Sequence, residues 1–548
     1  MCAKYKLPKE WSGSVLWLVV ACSLFTGCKR RSTLVEIADR QQILNCGNAA
    51  EPSTIDPSLV SSASDANIVY ALVEGLAAFD PANLRPIPGV AERWESNDDA
   101  TVWTFHLRLT SRWSNGDPVT AGDFVYSYRR MLSPKLGSGS AYILFRLRNG
   151  EAYYNRKITD FGLVGASAPD ERTLVLTLQT PTPYFPSMVC QIYWYPVQRA
   201  TIEKFGAFDD SATLWTRPGN YVGNGPFMLT EWKPNQVIRV VKSPTYWNRG
   251  KVSLQGCNFY PIDDKAAEEL AFRSGQLHLT QYVPRDKIAA YRLDPSGVLR
   301  EFNKTATFYL RLNVNKPPLN DVRVRRALAL SLDRNEIAAG LLKGGETPAR
   351  NLTPPGTGGF TARVSMETDI PEAKRLLSEA GYPGGKGFPK LDYLYPSSGG
   401  GKSALGEAIQ QMWRKNLGIE ITLTNQEFKI WADTLQQGNY LISFNDWVAD
   451  YFDPSTFIDL MIANGGNNNT GWSNAEYDRL DGLAASTPDN GKRFEYFQDC
   501  EAILARECPI IPIFFEAGNR LVRPEVKGWY DNPLDIHPLN SVYLLSPN

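Results

Sequence analysis

The chain has 548 residues, 43% of them hydrophobic and 21% charged, with 58 basic residues balancing 58 acidic ones. A neutral chain of this length builds a large core over two or three domains and offers no phosphate-tracking surface, so nucleic acid is not an expected partner. After the first thirty residues no apolar run is long enough to cross a bilayer.

The first element is a leader. Lys4, Lys6 and Lys9 precede the short apolar run SVLWLVVACSLF, and FTGC then ends at Cys28, ahead of Lys29-Arg30-Arg31. That is the layout of an export signal over residues 1–27. Small residues before a cysteine resemble a lipobox, in which the cysteine is diacylated and becomes the new N-terminus. Cys28 is therefore the predicted lipidation site, although Phe25 stands where that pattern more often has Leu. Loss of 1–27 leaves 55 basic and 57 acidic residues, a net charge near −2. Residues 28–42, with the charged stretch RSTLVEIADRQQ, are expected to act as the tether.

The mature chain keeps Cys46, Cys190, Cys257, Cys500 and Cys508 besides Cys28. None lies in a CxxC pair, so zinc and dithiol-redox readings fail, and an odd number leaves at least one thiol unpaired. Burial as small hydrophobes accounts for most of them. Cys46 and Cys257 both sit in strand-like runs, and their pairing stays open.

Short strands and helices then alternate without an internal repeat. WTFHLRL (103–109) and RTLVLTL (172–178) have the period of half-buried strands. In WSNGDPVT, residues 115–118 carry turn chemistry, and Thr120 with Asp123 is close to a capping box. DVRVRRALALSLDRNEIAAGLL (321–342) is predicted as one helix capped by Asp321, and PEAKRLLSEAGY (371–382) as a second. GEAIQQMWRKNLGIEITLTNQ (406–426) reads as a helix, a stop at Gly418 and a strand. The alternation implies α/β domains with mixed sheets. PSSGGGKS (396–403) fails as a phosphate-binding loop, because Pro396 stands where its first glycine belongs.

Several stretches resemble the oligopeptide-binding proteins of bacterial ABC importers, solute-binding family 5. They are EPSTIDPSLV (51–60), LVEGLAAFDP (72–81), residues 88–134 from PGVAERW to YRRMLSP, NGPFMLTEWKPNQVIRVVKSPTYWN (224–249), RLNVNKPPLNDVRVRRALALSLDR (311–334) and ADYFDPSTF (449–457). They follow the family's order and cover nearly all of the mature chain. The resemblance implies a periplasmic-binding-protein-like α/β fold of type II (cluster C): two lobes with mixed sheets, plus an extra domain in the first lobe. Mapped here, the first lobe is 43–72, 196–305 and 518–548, the inserted domain is 73–195, and the second lobe is 306–517. It also implies an oligopeptide ligand, permease and ATPase subunits encoded separately, a monomer, no cofactor, and attachment to the membrane through the lipid alone.

In this family the Asp of a W-x-A-D-Y motif takes the ligand's α-ammonium, which here is Asp450. An ammonium stripped of water needs a carboxylate partner. From the residues alone, the favoured reading of Asp450 is a solvated loop acid and that of Asp453-Pro454 a plain turn; the ligand role comes from the motif. By resemblance, Trp447 walls the ligand, the backbone of Asp446 and Val448 pairs with it like an added strand, Ser62 and Ala63 lie near its backbone, and Tyr309 is a cleft tyrosine. Arginines that precede the motif in carboxylate-clamping members are replaced here by Leu435 and Phe444, which leaves Lys402 as the possible carboxylate partner. Enzyme readings lack parts: there are three histidines, no H-E-x-x-H and no G-x-S-x-G. The alternative class is a secreted glycoside hydrolase, with Asp450 and Asp453 as its nearest carboxylate pair.

Overall fold

The computed structural model of the chain describes residues 32–397, 401–463 and 465–545. The leader and Cys28 lie outside the described residues. Three sheets organise the rest. The first has four strands in the order Ile43–Gly47, Gly256–Tyr260, Val237–Lys242 and Phe227–Lys233, with only the first pair parallel. The second is antiparallel and lies wholly within 73–195, with Ala91–Ser96, Val102–Leu107, Thr173–Thr177 and Ala166–Ser167 side by side. The third has six strands in the order Thr347–Pro348, Ile510–Leu521, Leu299–Leu312, Ile442–Val448, Leu391–Pro396 and Ile421–Gln426. Leu391–Pro396 runs parallel to both of its neighbours, so this sheet is mixed.

Each sheet sits on its own core. Residues from Leu76 to Trp194 form one cluster, joined by Tyr451 and Ile536 from elsewhere in the chain. A second cluster, from Leu44 to Leu544, lies against the first sheet. The third sheet is buried on both faces, one under the cluster of Leu310, Trp413 and Phe444, the other under that of Tyr309, Phe457 and Tyr477. Between inserted domain and first lobe, Arg130 grips Asp56 with two hydrogen bonds of 2.9 and 2.6 Å, and both side chains are buried. Such a bidentate partner offsets the lost hydration of a buried guanidinium.

Two long strands of the third sheet, Leu299–Leu312 and Ile510–Leu521, approach the first sheet at one end, where Leu279 bridges both Cys46 and Val522. Their register breaks between Asn303, opposite Ala517, and Thr307, opposite Phe515, so Lys304, Thr305 and Ala306 face the single residue Glu516. A bulge of this kind loosens a ladder and bends the pair.

Two expectations from the sequence change here. Within the expected tether, Leu34–Gln41 is a helix whose Thr33 and Glu36 form a capping box. It is docked: Val35 N donates to Gly275 O (3.0 Å), and Val35, Ala38 and Asp39 are buried. The backbone N of Asn45 donates to His278 Nδ1 (2.8 Å), so the proton on Nε2 is donated to Asp39 (3.1 Å). The single helix expected over 321–342 is two: Val322–Leu330, capped by Asp321, and a wider-wound turn, Glu336–Leu342. The break lets Arg334, fully buried, hydrogen-bond the carbonyls of Pro512 and Ala329.

Candidate functional site

The motif around Asp450 follows directly on strand Ile442–Val448. Leu391–Pro396 pairs with this strand only at Ile442 and Ser443 and then diverges. From Phe444 onward one edge of the strand is therefore uncovered, while Leu299–Leu312 pairs with the other edge as far as Val448. Ala449 N donates to Thr305 O (2.9 Å), which fixes the parity of the ladder. Residues 445, 447 and 449 turn their backbone groups inward, and Asp446 and Val448 turn theirs to the uncovered edge. Val448 is 56% exposed, and Asp446 is also open to the cleft.

Beyond the strand end is a cavity of about 130 Å³ lined by Trp447, Asp450, Asp459 and Asn467 on one side and by Tyr142 and Arg146 of the inserted domain on the other. The Tyr142 hydroxyl donates to Asp450 Oδ1 (3.1 Å), and Arg146 pairs with Asp459. Thr456 Oγ1 accepts from both Asp450 N (3.2 Å) and Trp447 Nε1 (3.3 Å), which holds the loop against the tryptophan. Tyr184 stacks on Tyr451 at 5.4 Å and closes the far side.

The lining thus holds two carboxylates and one guanidinium. Arg146 answers Asp459, and among the described residues the negative charge of Asp450 has only a phenol as its direct partner. Burial raises the Asp450 carboxyl to about 6, against the opposing pull of the Tyr142 hydrogen bond and the Arg146 charge. Tyr142 is pushed up in turn, by burial and by Asp450. A site of this kind has room for one cation.

The structure brings Asp446, Trp447, Val448 and Asp450 together as one continuous edge and cavity. Lys402 lies on the other face of the same strand, 5.5 Å from the Phe444 ring. Its ammonium pulls the Asp446 carboxyl down against the raising effect of lost water, and Asp446 does the converse to Lys402. Three readings differ. Tyr309, expected in the cleft, is 1% exposed and packs in the core beneath the sheet. Ser62 and Ala63 are exposed but belong to no strand: Ser62 caps the helix Ala63–Leu72, its hydroxyl accepting from Asp65 N (3.2 Å). Asp453 is not part of a plain turn. It is buried, and Arg493, also buried, holds it with Nη1 at 2.7 Å. So engaged, Asp453 is no partner for Asp450 in acid-base chemistry, and the glycosidase pair falls away.

Tyr142, Arg146 and Asp459 went unread in the sequence. Tyr142 meets Asp450 across 308 residues and Arg146 meets Asp459 across 313, so no local spacing advertises them. Cys46 and Cys257 sit on neighbouring strands with their sulfurs 3.5 Å apart, as free thiols. Among the described residues no His, Cys, Asp and Glu cluster could hold a metal, and no helix is long and apolar enough to cross a membrane.

A family profile described as bacterial extracellular solute-binding proteins, family 5 Middle, matches residues 85–469. The periplasmic oligopeptide-binding protein OppA of Escherichia coli (strain K12) is 35% identical over 523 residues, 93% of this chain and 94% of that protein. The solved structure of MppA, a periplasmic murein tripeptide binding protein in its unliganded open form, is similar with a TM-score of 0.80 and 32% identity, over 94% of this chain and 99% of that one. Haemophilus influenzae OppA in complex with RPPGFSPFR gives 0.75 and 31%, over 92% and 99%. The mixed-sheet α/β architecture is that of these two-lobed type II binding proteins. Motifs, fold and length agree, and the chain belongs to family 5 of the bacterial extracellular solute-binding proteins, which bind solutes rather than turn them over.

Proposed function

We propose that this protein is an extracytoplasmic receptor that captures oligopeptides between its lobes and passes them to a permease and ATPase of an ABC importer, made as separate chains. The observation that carries the reading is the meeting of an uncovered strand edge, at Asp446 and Val448, with a cavity whose surplus charge is the carboxylate of Asp450. An extended peptide adds to such an edge through its backbone, and its α-ammonium, one residue spacing beyond the strand end, reaches Asp450. The names of OppA and MppA point to ligands of the same chemistry. Lys402, beside Asp446, is the group through which a peptide carboxylate would be felt.

Calorimetry of the purified protein with trialanine, its N-acetyl form and its C-terminal amide tests this. Trialanine binds, acetylation abolishes or strongly weakens binding, and amidation weakens it less; acetylated and free peptides binding equally would overturn the role of Asp450. If Lys402 clamps the carboxylate, amidation costs as much as acetylation, and Lys402→Met erases that loss. In the same reading Cys28 carries the lipid, and the body is a monomer held to the membrane by that anchor alone. Wild type then partitions into detergent and Cys28→Ser does not.

A further inference from the structure

The two central strands of the third sheet alternate in an unusual way. One face carries Phe308, Leu310, Leu312, Ile442 and Phe444, the ordinary apolar pattern. The opposite face carries Thr307, Tyr309, Arg311 and Asn313 on one strand, with Ser443 and Asn445 beside them on the other. All six are buried, Arg311 at 8% exposure. A polar face at the centre of a sheet, covered by a helical layer, is costly unless its groups are answered.

Most are answered. Thr307 Oγ1 donates to Leu352 O (2.7 Å), Asn313 Nδ2 to Gly438 O (3.0 Å), and Ser443 Oγ accepts from Trp431 Nε1 (3.0 Å). Two groups are left over. Asn445 Oδ1 is buried with no hydrogen-bond partner. Arg311 uses only Nη2, which donates to Tyr309 Oη (3.3 Å) and Asn467 O (3.1 Å). No carboxylate pairs with it among the described residues, and its Nε and Nη1 have no protein partner, yet neither is sealed from solvent. Two other buried arginines also lack a carboxylate, and both differ. Arg325 and Arg334 spend all three nitrogens on carbonyl oxygens or on the Met366 sulfur. They are structural; Arg311 is unfinished.

Arg311 is linked to the binding cavity through Asn467. Asn467, which Arg311 holds, lines the Asp450 cavity together with Trp447. A peptide lying along the uncovered edge sends alternate side chains to the two faces of the sheet. Those on the Trp447–Asn445 face point toward Arg311.

Resting on the peptide-receptor reading, we propose that Arg311 forms a side-chain subsite for a carboxylate, so that the preferred ligands are peptides with Asp or Glu at one defined position. Glutamate would accept from Nε and Nη1 of Arg311, a charge-assisted pair in a water-poor pocket. Lysine there would meet a like charge with no counterion.

Calorimetry of the full-length protein with trialanine and with tripeptides bearing Glu, Gln or Lys at each position in turn decides this. At one position Glu binds at least about tenfold tighter than Lys, with Gln between, and the other positions show no such order. Arg311→Met removes the preference and leaves trialanine affinity within about threefold, whereas Arg311→Lys keeps its sign, which separates charge from packing. A melting curve of each variant shows that it is folded. If trialanine binds the wild type but Glu and Lys are equivalent at every position, the subsite is overturned and the receptor reading stands. If no peptide binds, both fall.

Discussion

The cleft strips water from the Asp450 carboxylate more completely than Tyr142 and Arg146 replace it, and its pKa moves from 3.8 to about 6. The unfolded chain releases this proton at the lower pH, so the folded protein loses stability as pH rises through that window, and the penalty is complete above pH 6. Asp450→Asn should therefore raise the melting temperature of the unliganded protein at pH 7.5. The gain is about 1–3 kcal/mol, allowing for partial solvent contact, and it should disappear by pH 4. Binding of a cation has the opposite sign. Affinity for a free-amine peptide should be flat from pH 6 to about 7.5 and fall about tenfold per unit below pH 6, because protonation removes the partner; above about pH 8 it should fall again as the peptide's own α-amine loses its proton, and affinity that rises as the pH drops from 6 to 4 would contradict the pairing. In Asp450→Asn the profile should be flat and low. Asp453 behaves differently because its work is structural. Asp453→Ala strands Arg493 between Tyr184 and Phe497 with its charge unpaired, at a cost of about 3–5 kcal/mol in denaturant unfolding.

The strand Ile442–Val448 makes a prediction of its own. Val448 N–H faces the uncovered edge rather than the ladder with Leu299–Leu312, so proline is tolerable there as it is on edge strands. Val448→Pro should melt within a few degrees of wild type and bind trialanine about tenfold more weakly, for want of one backbone donor. Loss of the fold, or unchanged affinity, would show that the edge is not where the ligand lies. The strand end was legible through resemblance, since the W-x-A-D-Y motif placed Asp446, Trp447 and Val448 beside Asp450. Its free edge was not, because divergence of Leu391–Pro396 after two paired residues depends on packing more than forty residues away in the chain. Helices show the same limit. Gly418 ended its helix as read, with a left-handed φ of +71°, whereas the break after Leu330 is made by Arg334 reaching carbonyls of another strand. The helix Leu34–Gln41 was within reach: Thr33 and Glu36 spell a capping box, but eight residues with two acids and an arginine read as a solvated tether. Tyr309 misled for a related reason, as a one-face shift in a period-2 element moves a side chain from cleft to core.

In the whole molecule, the two long strands share the bulge at Lys304–Ala306, where Lys304 lies 3.8 Å from Glu516 and 3.5 Å from Asp535. We expect the lobes to pivot there, with the closed state selected by ligand. Small-angle scattering should show a smaller radius of gyration with saturating trialanine; identical curves with and without peptide would exclude closure. The docked N-terminal helix bears on stability. Asp39→Ala leaves the buried His278 Nε2–H without an acceptor and should cost about 1–3 kcal/mol with peptide affinity unchanged. That helix also sets a leash. Were residues 28–42 all extended chain, the body could stand roughly 50 Å from an acylated Cys28; with Leu34–Gln41 folded against it, only the steps from Cys28 to Thr33 remain, roughly 18 Å at full stretch. If Cys28 is acylated as proposed, a receptor so tethered would skim the bilayer with one flank turned toward it. Its encounter with a permease is then a search in two dimensions by a partner already close to the right height.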